Sequence, residues 1–405
     1  MPETPRSVIA VPVSEADVRA ALAAVQEPDL CRGLVELGMV RGVRVKRHAV
    51  SVELAVPMPG WPVEDELVRR VEAALGTLPD VRDVRVERCD MDDVERGALR
   101  AVLAEPAGGE PGGAAPGAGH THPPGNGGAP QPLGHEAGRP NRFMVPGSRT
   151  RVIGVSSGKG GVGKSSVAVN VAVSLAAQGY DVGLLDADIY GFSVPKMLGV
   201  DHGPSTIDKL LVPPVVHGVR CLSMGYFVDD DQPVVWRGPM LHKALEQFLV
   251  DAYWGEPDFL LIDMPPGTGD VALSLGQYLP RTEILVVTTP QPAAQRVAQR
   301  SALAARHLKL PVRGVVENMS WFTGDDGTRY ELFGEGGGAQ LAAELGVPLL
   351  GQVPLVPAVR QGADQGVPAR VADPAGAAAQ AFDLLAHRIV ELGPVRIYRR
   401  ELTVR

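Results

Sequence analysis

The chain has 405 residues, 45% hydrophobic and 21% charged, with a formal net charge of −8. At roughly 100–200 residues per domain, that length predicts two or three domains and excludes a small disulfide-stapled scaffold. The acidic balance argues against sequence-independent binding to phosphate backbones or anionic membranes as a main role, and no apolar run approaches the roughly 20 residues of a bilayer span.

Val8 to Val13 is apolar but too short and Pro-interrupted for a secretory core, so a cytoplasmic setting is expected, with no nucleic-acid or membrane partner. Residues 1–104 read as a small α+β domain. Ser14 at a cap position opens a helical pattern through Val25, followed by strand alternation in Val43 to Lys46 and Val50 to Val56. Val63 to Leu75 predicts a second helix and Val81 to Val86 a further strand.

Residues 105–146 contain 11 Gly and 9 Pro and hardly any aromatic or β-branched residue. Such a segment cannot bury enough apolar surface to offset its ordering entropy, which predicts a disordered linker. Its scattered His120, His122 and His135 make a poor chelate on so loose a tether.

Across 147–395 the pattern becomes short β-branched runs alternating with helical stretches. Strands are predicted at Val152 to Ser156, Val182 to Asp186, Val219 to Leu222, Phe259 to Asp263, Glu283 to Thr288, Val312 to Glu317 and Leu349 to Val353. Helices are predicted at Val167 to Gln178, Leu241 to Ala252, Ala293 to His307 and Gly337 to Leu345. Near-continuous apolar strands separated by helices imply an α/β fold with a mainly parallel, doubly wound sheet, which takes ligands beyond the C-terminal strand ends. The last segment, 396–405, is a short basic tail that includes Arg396, Arg399 and Arg400.

The chemistry gathers at those strand ends. After the first strand of this region come Gly158, Lys159, Gly160, Gly161, Val162, Gly163, Lys164 and Ser165, then an apolar helix. Glycines let successive N–H groups turn inward around phosphate oxygens, and the helix N-terminus adds its positive dipole end. Lys164 can then reach the β- and γ-phosphates of ATP, and the Ser165 hydroxyl can ligate Mg²⁺. Only seven lysines occur in the chain, and two of them stand in this loop, which argues against a chance match.

Asp186 and Asp188 follow the second of these strands, and alternation aims both at one crevice; N-capping is the competing role, chiefly for Asp186. Asp263 ends a later strand and precedes a loop, Met264 to Asp270, whose prolines and glycines suit a switch that senses the γ-phosphate. Asn318 can pair with adenine through both amide functions, or simply shape a turn. Three cysteines, Cys31, Cys89 and Cys221, offer no C-x-x-C clip and read as small buried hydrophobes.

With Lys159 two residues into it, the loop resembles the deviant Walker A of MinD, ParA and Mrp ATPases. That resemblance implies that Lys159 reaches the nucleotide of the partner subunit in an ATP-bound homodimer. The run Trp236 to Met240, the segment Asp263 to Asp270, Glu317 to Ser320 and Phe333-Gly334 make residues 150–392 similar to the Mrp/ApbC family of iron–sulfur cluster carrier P-loop ATPases. Leu37 to Val40 and Pro59 to Pro62 are similar to a SufT/PaaD-like domain. The resemblance implies nucleotide contacts from Gly158 through Ser165 and Ser166, with Asn318. It assigns catalytic roles to Lys159, Lys164, Asp188 (positioning water) and Asp263 (holding Mg²⁺ through water, beside Ser165). It also implies apo-protein clients of iron–sulfur assembly.

The chain departs from that family in one respect. Where the family carries a C-x-x-C pair to hold the cluster between two subunits, residues 321–328 read Trp-Phe-Thr-Gly-Asp-Asp-Gly-Thr, and Trp61 stands where the N-terminal domain often has Cys. Three activities follow in order of support: an ATP-hydrolysing cluster carrier or assembly factor, a cluster-free nucleotide-gated interaction switch, and a MinD- or ParA-like positioning ATPase.

Overall fold

Strands whose successive side chains are all buried need cover on both faces, and the second half of the chain supplies it with helices. A computed structural model describes residues 13–105, 141–145, 147–189, 191–227, 238–267 and 270–395. Outside them lie most of the predicted linker with its three histidines, residues 8–12, Tyr190, Trp236 and Arg237, Thr268 and Gly269, and the 396–405 tail. The chain divides into two units, Met1–Gly134 with Ser205–Val212, and His135–Pro204 with Pro213–Arg405.

In the first unit α1 (Glu15–Ala23) opens with a capping box, in which the Ser14 hydroxyl accepts from the Asp17 N–H and the Asp17 side chain accepts from Ser14. Strands β1 (Val40–Lys46) and β2 (Ala49–Val56) pair antiparallel. Helix α2 (Glu64–Gly76) then buries Leu67, Val71 and Leu75, spaced by four, and carries the chain over to β3 (Asp83–Asp90), which is parallel to β2. Strand β3 starts two residues later than the sequence predicts, because pairing with β2 begins at Ala49↔Asp83. Helix α3 (Asp93–Ala104) is an addition to the sequence reading. Asp92 and Glu95 form its capping box, and Leu99 and Leu103 its buried face.

Trp61 is fully buried here, and its Nε1 donates to Glu27 Oε1 at 2.7 Å while the Leu30 N–H donates to Oε2. Burial pushes the Glu27 carboxyl from 4.5 up to about 7, against the pull of these two donors. The folded chain therefore binds this proton more tightly than the unfolded one. The stability it contributes is present below pH 4.5 and is lost as pH rises through about 7. Exchange protection of β2 amides, corrected for intrinsic rates, should fall across that interval, and Glu27→Gln should flatten the dependence. An unchanged slope in that variant would assign the effect to another group.

From residue 150 the chain runs β4 (Arg151–Ser157), α4 (Lys164–Ala177), β5 (Val182–Asp186), α5 (Val194–Leu198), a small hairpin of β6 (Ser205–Ile207) and β7 (Leu210–Val212), β8 (Val215–Val216) and β9 (Val219–Ser223). It continues through α6 (Gly238–Val250), β10 (Phe259–Asp263), α7 (Asp270–Tyr278), β11 (Glu283–Thr288), α8 (Pro292–His307), β12 (Val312–Glu317) and a second hairpin, β13 (Phe322–Thr323) with β14 (Arg329–Tyr330). The final elements are α9 (Gly337–Leu345), β15 (Leu349–Gln352), α10 (Pro357–Gln365), α11 (Ala369–Ala372) and α12 (Ala377–Glu391).

Eight strands form one sheet in the order β15-β12-β11-β4-β10-β5-β9-β8, parallel throughout except for β8. All seven strands predicted beyond residue 150 are present, their ends within about a residue of expectation. Helix α4 is buried on nearly every side, from Val167 through Leu175, because α12 packs along it. Phe382, Leu385, Ala386 and Ile389 of α12 share one core with Ala168, Val171 and Ala172. The order also sets up the site. β10 lies between β4 and β5 with Asp263 paired to Val155 on one side and to Asp186 on the other. Three strand ends thus converge at the N-terminus of α4, where strand order reverses.

Candidate functional site

The loop from Gly158 to Ser165 connects β4 to α4, and geometry calls for glycine at three of its positions, Gly161 among them at φ +78°. Gly163 takes φ +79°, and a Cβ there would lie 2.2 Å from Asn318 Nδ2. At Gly158 the constraint is space alone, since a Cβ would lie 2.2 Å from Ala298 N and 2.3 Å from Val297 C in α8. Gly158→Ala should force α8 off the loop, costing about 1–3 kcal/mol and most nucleotide affinity. Thermal melting and calorimetric titration with adenine nucleotide would test this, and an unshifted melt with unaltered affinity would contradict it.

Lys164 begins α4 and is buried, with Nζ 2.6 Å from Asp263 Oδ1 and 3.9 Å from Asp188 Oδ2. The Ser165 hydroxyl donates to Asp263 Oδ2 at 2.5 Å. Asp263 has no exposed surface; burial pushes its carboxyl up, and the adjoining Lys164 ammonium pulls it back. One cation and two carboxylates thus meet at the positive end of a helix. Asp186 ends β5 and takes up the N-capping role that its sequence left open. Its carboxylate accepts from the N–H groups of Asp188, Ser193 and Val194 and from the Ser223 hydroxyl, tying down the start of α5. Burial and then the neighbouring Asp263 push that carboxyl up to about 7.

Asn318 donates from Nδ2 to the Val162 carbonyl at 2.9 Å, so it braces the loop with one amide hydrogen, and its side chain makes no other hydrogen bond among the described residues. Met319 beside it holds φ +56°, a left-handed conformation uncommon for a residue with a side chain. Lys159 is half-buried, its Nζ 3.3 Å from Gln291 Oε1 just ahead of α8. Met264 and Gly267, in the segment after β10, donate to the carbonyls of Val155 and Ser157 in β4. The Ser301 hydroxyl of α8 donates to the Gly267 carbonyl at 3.2 Å and meets Ser156 Oγ at 2.9 Å.

Sequence reasoning marked neither Gln291 nor Ser301, nor Thr289, whose hydroxyl is buried at the end of β11 without a hydrogen-bond partner among the described residues. Their signal was available, since Thr289 and Gln291 follow a strand end adjacent to β4. Hard oxygens at Ser165 and Asp263 beside a phosphate loop fit Mg²⁺.

An iron–sulfur cargo does not fit the cysteines by the family's route. Cys221 is fully buried in β9, with its thiol pushed up by burial, while Cys31 and Cys89 belong to the other unit. Among the described residues no group of three or more His, Cys, Asp or Glu could hold a metal. The expectation of three buried cysteines holds for Cys221 alone. Cys89 is half-buried in β3, and Cys31 is exposed at φ +54° in a turn closed by its own N–H to the Glu27 carbonyl. No described helix is long and apolar enough to cross a membrane.

Residues 148–390 match the family model of the NUBPL iron-transfer P-loop NTPase, and residues 15–87 that of an iron–sulfur cluster assembly protein. An iron–sulfur cluster carrier protein of Mycobacterium tuberculosis H37Rv is 43% identical over 366 residues, covering 89% of this chain and 88% of its own. One from Synechocystis is 41% identical over 379 residues, covering 92% of this chain and 96% of its own. Among solved structures, a nucleotide-binding protein in complex with ADP from Archaeoglobus fulgidus is 33% identical. The match covers 58% of this chain and 93% of that one, with a TM-score of 0.50.

Proposed function

The chain belongs to the iron-transfer P-loop NTPase family, and on that premise we propose that it is a Mg²⁺-dependent ATPase of iron–sulfur cluster transfer, working in the cytoplasm as a nucleotide-gated homodimer on apo-protein clients. The observation that carries this reading is the meeting of Lys164, Ser165, Asp188 and Asp263 at the mouth of the phosphate loop.

In this reading the N–H groups from Gly158 to Ser166 receive the phosphates, and Lys164 turns from Asp263 toward the β- and γ-oxygens. Mg²⁺, when bound, offsets charge on those oxygens, with Ser165 and, through water, Asp263 as its holders. Asp188 orients the attacking water. The new O–P bond forms as the β–γ bridging bond breaks, ADP keeps the bridging oxygen, and the water's protons end on the phosphate and the solvent. Lys159 leaves Gln291 to reach the nucleotide of the second subunit, and Asn318 meets adenine with the part of its amide that Val162 does not use.

Phosphate release from MgATP, together with a shift from monomer to dimer on a non-hydrolysable analogue, tests the proposal; absence of both would refute it. The missing thiolates in 321–328 favour a second reading, ATP-gated grip on a protein partner with no cluster aboard. Anaerobic reconstitution with iron and sulfide separates the two. Stoichiometric bound iron and sulfide support carriage, and their absence with hydrolysis intact supports the second reading.

A further inference from the structure

Helix α8 touches the phosphate loop and the segment after β10 with its inner side. At its start Gln291 holds Lys159, its backbone at Val297 and Ala298 closes against Gly158, and Ser301 holds the Gly267 carbonyl of the segment after Asp263. Its buried residues Ala294, Gln295, Ala298, Ser301, Ala302 and Ala305 form one stripe. The opposite stripe, at spacings of four, three and four, is Arg296, Arg300, Leu303 and His307, all exposed. Across Pro292–His307 there is no Asp or Glu, although the whole chain carries a net −8. Arg296 and Arg300 make no ion pair or side-chain hydrogen bond among the described residues, and Leu303, one turn beyond Arg300, is 43% exposed.

Two arginines without an ion pair, followed one turn on by an exposed leucine, suit a small epitope of opposite charge with one apolar contact. A lipid surface suits it poorly. An interfacial helix inserts a broad apolar face, and the apolar face of α8 is spent on the sheet. A nucleic acid suits it poorly as well, because a chain of net −8 needs a longer row of phosphate contacts than two arginines provide.

We infer that the outer face of α8 is the docking surface for an acidic segment of a client protein, and that the nucleotide state changes its affinity through the three inner contacts of the helix. The inference rests on the nucleotide-gated reading above and adds to it the place and chemistry of the client contact. Whatever displaces Lys159 from Gln291 or Gly267 from Ser301 alters what holds α8, and so the presentation of Arg296 and Arg300.

The test uses the full chain and a fluorescently labelled acidic helical peptide, with glutamates and one leucine at spacings matching the stripe. Anisotropy is read with ADP and with a non-hydrolysable ATP analogue. The expected result is binding that differs between the two nucleotides and weakens about tenfold or more in R296E/R300E. The same charge change at exposed positions of the other unit, R19E/R82E, should leave binding unchanged. Peptide-free ATP hydrolysis should be equal in both double variants and the parent protein. No binding, equal weakening by both double variants, or identical affinity in both nucleotide states would overturn the inference. So would co-sedimentation with phosphatidylglycerol vesicles that R296E/R300E abolishes while the peptide fails to bind, because the face would then be a lipid contact. Nucleotide-dependent peptide binding that tells the variants apart, in a chain that releases no phosphate, would sink the ATPase reading and leave the docking face standing.

Discussion

Lys164→Ala is expected to lower phosphate release by about a thousandfold or more, because it removes a charge-assisted contact from a buried ammonium to the transferring phosphate. The structure adds a second consequence. Lys164 stands 2.6 Å from a carboxylate with no exposed surface, so its loss leaves Asp263 buried with the Ser165 hydroxyl as its one remaining side-chain donor among the described residues. Breaking a buried pair from one side costs about 3–5 kcal/mol, and Asp263 will recover part of it by taking up a proton. The variant should therefore melt lower as well as fail to hydrolyse ATP. Adding Asp263→Asn in the same chain should restore most of the melting temperature and none of the hydrolysis. Calorimetric melts and phosphate release on the single and double variants check both statements. If Lys164→Ala alone hydrolysed ATP at the parent rate, the assignment of the loop would be wrong.

Asp188→Ala should behave in the opposite way with respect to binding. Its carboxylate stands 3.9 Å from Lys164 Nζ, and that ammonium retains Asp263 as its nearer partner, so the stability cost is small. Affinity for ATP should be preserved while turnover falls by about 10²–10⁴, the usual contribution of a group that positions or activates water. The ATP-bound dimer should persist correspondingly longer. Single-turnover kinetics beside equilibrium nucleotide titration separates the two effects; parent-like turnover would remove Asp188 from the mechanism.

Much of this was readable from residue order because the second unit follows periodic rules closely. Seven apolar runs mark seven strands, and the phosphate loop is punctuated by glycines whose spacing has a mechanical reason. At Asp186 and Asp188 alternation could not choose between a place in the crevice and a capping role, since the rule holds only while the strand lasts and β5 stops at the first of them. Single residues were harder to read where their partners are remote in sequence. Gln291 meets Lys159 and Ser301 meets Ser156 only because β11 and α8 fold back beside β4. Helix α3 went unmarked although its capping box and its Leu99 and Leu103 are ordinary signals. Helix α12, with Phe382, Leu385, Ala386 and Ile389 on one face, was equally legible. The two-residue strands β8, β13 and β14 and the five-residue helix α5, little more than one turn, carry too short a pattern for periodicity to find.

The partnership of α4 with α12 constrains the order of biosynthesis. The helix that starts the phosphate site leaves the ribosome long before the one that covers it, and the side of it against which α12 packs stays bare until then. During translation that stretch is a natural substrate for holding chaperones, whereas the first unit can complete its three-stranded sheet while the rest is still being made. A ribosome stalled before Ala377 should hold a nascent chain with a formed N-terminal sheet and a protease-sensitive second half.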